Sequence, residues 1–151
     1  MRPWVKPAEE IKIEMLDRAL EATGRRIEEG DAVLIRTGQE RYTMTDPLFY
    51  SQPGMNRAST LHLTSQGAAI LGTDAVAWDL PFRVMTQRFK ETGDRQGLWD
   101  GRKAILLKEA FIVQQMTNLG ALPLSGFMVG FFPIKLAGCS AAPARVVAFV
   151  G

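Results

Sequence analysis

An α/β fold is predicted by three features of the sequence. Short apolar runs suited to buried strands recur at Ala32–Arg36, Ala68–Gly72 and Phe111–Val113, separated by segments with helical or irregular character. The stretch 8–23 places Ile11, Met15, Leu16, Ala19 and Leu20 on one helical face ahead of the first strand. Phe127-Met128-Val129-Gly130-Phe131-Phe132 is almost uninterrupted apolar sequence, which reads as a strand covered on both faces inside a layered sheet.

Met1 to Pro7 holds two prolines and Trp4 and reads as an extended arm lying on the rest of the chain. The helix over 8–23 has Glu9 and Glu10 at its positive end and Gly24 as its stop. After Gly30-Asp31 comes the strand Ala32–Arg36, ending at Thr37-Gly38. Gln39 to Arg57 lacks a regular period, carries Asp46-Pro47 and Pro53-Gly54, and reads as a long loop of the kind that carries function. A helix over 59–67, capped by Ser59 or Thr60, then leads into the strand Ala68–Gly72.

Trp78-Asp79-Leu80-Pro81-Phe82 reads as a turn, Met85 to Glu91 as a short helix, and Lys103–Leu107 suits helix or strand equally. Phe111–Val113 is a short strand, and Leu122-Pro123 breaks the chain because proline lacks a donor and disfavours helix before it. Ala144–Val150 is the final strand.

With 151 residues, 46% of them hydrophobic, the chain has the size and core of one domain, spanning 1–151. A net charge of +2 with interspersed signs argues against nucleic acid as a partner. No apolar segment is long enough to span a bilayer. The single cysteine, Cys139, has no partner for an internal disulfide, and no signal segment opens the chain, so a cytoplasmic location is expected.

Motifs of common catalytic chemistry are missing. His62 is the only histidine and, among Leu61 and Leu63, reads as structural. There is no His or Cys at metal-ligand spacing, no glycine-rich phosphate loop and no Gly-x-Ser-x-Gly elbow. Cys139 has no evident His to activate it. Asp74 follows the strand Ala68–Gly72, where ligand-facing polar groups gather in layered sheets. It serves equally well as a cap for the next segment.

Several segments together resemble the cyclase family, the metal-dependent hydrolases that include bacterial kynurenine formamidases of tryptophan catabolism. They are Gly30 to Gly38, Pro53-Gly54-Met55, Gly72-Thr73-Asp74-Ala75 with Trp78-Asp79, Thr117-Asn118-Leu119 with Ala121-Leu122-Pro123, Gly126-Phe127, and Phe132-Pro133-Ile134-Lys135. The resemblance runs from about Glu10 to the C-terminus. It implies a swivelling β/β/α fold and hydrolysis of an amide-type or cyclic C–N bond with zinc or manganese.

The chain also departs from that family. Its main metal motif, His-x-Gly-Thr-His-x-Asp, belongs to an N-terminal part that this sequence lacks. Of two further ligands, the histidine falls at Arg102 and the glutamate at Gln114. A guanidinium has no lone pair for a metal, and an amide is a feeble ligand beside a carboxylate. Arg102 is instead a fixed cation suited to a carboxylate of a ligand or of a neighbouring chain. Three readings follow. The chain is a subunit completed by a metal-bearing cyclase-type partner, which would supply the ligands for zinc or manganese. Otherwise it is a non-catalytic domain that binds a small acid or a partner through Arg102, or a truncated product. The apolar run and the final strand predict an oligomer in which the Trp4 arm helps to seal the contact.

Overall fold

The computed structural model describes residues 5–151; Trp4, and with it most of the predicted arm, lies outside the described residues. The element order is β1 (Glu10–Ile11), α1 (Ile13–Glu21), β2 (Ala32–Ile35), β3 (Gly54–Met55), α2 (Arg57–Ser65), β4 (Ile70–Thr73), α3 (Phe82–Thr92), α4 (Asp100–Lys103), β5 (Phe111–Val113), β6 (Met128–Pro133) and β7 (Ala144–Phe149). The α/β class is as expected. The strands form a parallel sheet in the order β2-β4-β5, a two-stranded parallel pair β1-β3, and an antiparallel hairpin β6-β7.

In the parallel sheet Val33, Leu71 and Ile112 lie in register. β4 is central, and Leu71 is completely buried. The core gathers Ile11, Leu16, Met55, Leu63 and Trp78 around it, with Val5 packed at its margin. α1 ends as the sequence predicts: Gly24 takes φ 65°, a left-handed conformation that glycine adopts without steric cost. Gly93 stops α3 the same way, at φ 70°.

Several boundaries move for identifiable reasons. Glu10 and Ile11 pair with Gly54 and Met55 as a strand, so the first helix begins only at Ile13. α2 begins at Arg57 because the Asn56 side chain, not Ser59 or Thr60, caps it by accepting from the Ser59 backbone N–H at 2.7 Å. Ser59 and Thr60 are buried, and their hydroxyls tie the helix to its surroundings. Ser59 donates to the Ile11 carbonyl at 2.5 Å, and Thr60 donates to the Asn56 carbonyl at 2.8 Å. β4 starts later than expected because the Ala68 and Ala69 N–H groups are turned to the Leu63 and Asp31 carbonyls. Lys103–Leu107 is helical, with α4 running into a 3₁₀ turn at Ala104–Leu106.

The reading of the apolar run as a strand covered on both faces is corrected. Among the described residues β6 pairs only with β7, in register from Met128 opposite Phe149 to Pro133 opposite Ala144. Alternation puts Met128, Phe132, Val147 and Phe149 on one face of this hairpin, and that face is open; Phe132 is 57% exposed and Phe149 54%. The opposite face, with Val129, Phe131, Val146 and Ala148, is half-covered. The run is apolar because both faces of the ribbon carry large side chains, and a two-stranded ribbon has no second layer to cover both. Among the described residues no helix is long and apolar enough to cross a membrane.

Candidate functional site

The site is built where the segment after β4 crosses β3. Trp78 anchors it: the side chain is 1% exposed, and its indole N–H donates to Thr60 Oγ1 at 2.9 Å. The Trp78 carbonyl accepts from the Met55 N–H at 2.8 Å, so the segment is stitched to β3. Asp79 is thereby carried into the interior, where it is also 1% exposed.

A buried carboxylate needs donors or a counter-charge. Both come from α4: the Arg102 backbone N–H reaches Asp79 Oδ1 at 3.0 Å, and its Nε reaches Oδ2 at 2.7 Å. This approach depends on Gly101, since any Cβ there would collide with the Met55 carbonyl and lie 3.1 Å from Asp79 Oδ1. The start of α4 is fixed independently by Asp100, which accepts from the Arg57 N–H and Nε, both at 2.9 Å. Gln114, just beyond β5, completes the group. Its Oε1 accepts from the Trp78 N–H at 2.9 Å and faces Arg102 Nη2 at 3.4 Å.

Thus the two positions marked by the family resemblance, Arg102 and Gln114, are brought together, and Asp79 joins them. The sequence puts Asp79 in a turn and does not mark it as a site residue. The available signal was its place in Trp78-Asp79, one of the pairs that carry the resemblance. Asp74, 4% exposed, lies elsewhere. Its carboxylate accepts from the Thr37 N–H at 2.8 Å, Thr37 Oγ1 at 2.6 Å and the Gly38 N–H at 2.7 Å. It therefore secures the turn after β2 rather than facing a cavity, and it caps that preceding turn instead of the segment that follows it. His62 Nε2 meets Asp17 Oδ1 at 2.6 Å and joins α2 to α1. Cys139 is exposed in the connection between β6 and β7.

These residues do not fit a metal. Arg102 offers donors only, both Asp79 oxygens are engaged by Arg102, and the Gln114 oxygen already accepts from Trp78. What adjoins the group is a cavity of about 280 Å³, mostly apolar, whose lining includes Tyr50, Gln52, Phe82, Arg83, Trp99 and Arg102. Phe82 and Trp99 are stacked with centroids 5.5 Å apart. Trp99 holds a left-handed backbone, φ 53°, which is costly for a bulky residue.

The sequence matches the family model described as cyclase over residues 2–80. Among solved structures, an isatin hydrolase bound to the product analogue thioisatinate superposes with TM-score 0.78 at 18% identity, over 95% of this chain and 54% of that one. Isatin hydrolase A from Ralstonia solanacearum gives TM-score 0.74 at 20% identity, over 95% and 54%. A potential metal-dependent hydrolase with cyclase activity gives 0.65 at 20%, over 91% and 57%. At these identities the likeness is one of fold, and the chain spans about half the length of the structures it matches. No curated protein matches the sequence.

Proposed function

This chain belongs to the cyclase family, and from that premise we propose that it is the metal-free part of a metal-dependent C–N hydrolase, working only as a subunit with a metal-bearing partner chain. The observation that carries this reading is the closure of Arg102 onto Asp79 beside Gln114, which occupies with a guanidinium the place where the family resemblance puts metal ligands. On this reading the absent part is the N-terminal one with His-x-Gly-Thr-His-x-Asp, and the two parts together make the swivelling β/β/α fold. The open face of the β6-β7 hairpin supports a second chain. The substrate class is a formamide or cyclic amide of the kind kynurenine formamidases open. A lone exposed Cys139 suits a reducing cytoplasm.

In such a complex this chain's own residues do not activate water. Arg102 neutralises Asp79 and holds α4 against β3, and Gln114 fixes the Trp78 backbone, so together they form a rigid wall. The test is to assay the purified chain alone and after mixing with a polypeptide carrying the missing motif. Metal content and hydrolysis of N-formylkynurenine are both measured. Neither is expected above background for the chain alone, nor for Arg102→His with Gln114→Glu; both are expected in the complex. Stoichiometric zinc on the isolated double variant would overturn the reading.

The guanidinium-edged cavity favours a second reading, a non-catalytic cyclase-like domain that holds a small acid. Turnover in the reconstituted complex would exclude it.

A further inference from the structure

The cavity beside Arg102 has features that the Arg102–Asp79–Gln114 cluster does not explain. Its wall is largely apolar and carries three aromatic side chains, Tyr50, Phe82 and Trp99, all substantially exposed. Large aromatic surfaces left facing one cavity are a recognition feature more often than a packing one. Trp99 is held there at a conformational cost, with φ 53°, its backbone N–H on Met85 Sδ at 3.2 Å and its ring against Phe82.

The charge balance points to an anion. Arg83 and Arg102 both line the cavity, and Asp79 is the only carboxylate in its lining. Asp79 is spent on Arg102 Nε, while Arg83 donates only to the neutral Ser51 hydroxyl, at 3.0 Å, and has no carboxylate partner among the described residues. The cavity therefore carries one uncompensated positive charge. Gln52, 3% exposed, stands in the same wall. Its Nε2 is fixed on the Asp79 carbonyl at 3.2 Å, which leaves its Oε1 as a buried acceptor with no donor.

We propose that this cavity is a receptor site for a small aromatic carboxylate. The ring lies against Phe82 and Trp99, and the carboxylate pairs with Arg83 next to Arg102. The acid is bound and not consumed. The proposal deepens the reading of this site as an acid-binding one and does not depend on a second chain.

The experiment is isothermal titration of the full chain with indole-3-carboxylate, beside 3-methylindole and cyclohexanecarboxylate as probes lacking the charge or the aromatic ring. We expect a Kd below about 1 mM for indole-3-carboxylate, and at least tenfold weaker binding of either control. Arg83→Gln removes an exposed cation, and Trp99→Gly removes both the ring and the left-handed strain, so neither threatens the fold. Each is expected to weaken indole-3-carboxylate at least tenfold. Absence of binding, equal binding of the controls, or indifference to both substitutions would overturn the proposal. A failure here combined with turnover in the two-chain complex would remove the receptor site and leave the split hydrolase standing. Binding by the chain alone with no turnover in the complex would do the reverse.

Discussion

The body and the hairpin are built from equally apolar sequence and meet opposite fates. β4, with Leu71 at its centre, has a strand on each side and lies in the core; Leu71 is completely buried and Ile70 half-buried. β6 is longer and more aromatic, yet it has one neighbour and shows Met128 and Phe132 to the exterior. Hydrophobicity alone thus predicts that a segment will seek cover, not that the same chain will provide it. The body is stabilised by its own contacts. The hairpin holds together locally and offers a surface of the kind that partners occupy.

Substitutions sharpen that contrast, beginning in the body. Trp78→Ala opens a cavity beside Thr60 and removes an indole hydrogen bond. It is expected to lower stability by about 3–5 kcal/mol in urea denaturation. Arg102→Ala leaves Asp79 buried without its cation and is expected to cost about 2–3 kcal/mol, below the full cost of breaking a buried pair because the guanidinium is partly exposed. Combining Arg102→Met with Asp79→Asn is expected to recover more than half of that loss. A double variant no better than Arg102→Ala would show that the pair does not act as a unit.

Asp74→Asn keeps the shape but weakens three charge-assisted bonds to the Thr37–Gly38 turn, with an expected cost of about 1–2 kcal/mol by thermal unfolding. Phe132→Glu, on the open hairpin face, is expected to change monomer stability by less than about 0.5 kcal/mol. The same change should weaken self- or partner association at least tenfold in sedimentation at micromolar concentration. If Phe132→Glu unfolds the chain, the hairpin belongs to the body and the comparison fails.

Much of this was legible in the residues. Phe111–Val113 is a strand with the predicted ends, and Gly24 stops its helix. Asp79 was the main omission at the site. Its importance comes from Arg102, whose pairing with it requires α4 to press onto β3 at Gly101, and no local pattern announces such an approach.

Sequence by itself determined the α/β class, most of the helices and strands, and the donor-only character of Arg102. Those properties follow from side-chain periodicity, from backbone preferences acting over a few residues, and from the lone pairs a side chain does or does not possess. Tertiary structure alone decided that Glu10–Ile11 is a strand, that Asp74 serves the turn after β2, and that Asp79 neutralises Arg102. It also decided that the apolar strand β6 keeps one face open. Each of these depends on groups distant in sequence meeting at hydrogen-bond or van der Waals range. Burial is a property of the neighbours a segment finds, which its own residues do not specify.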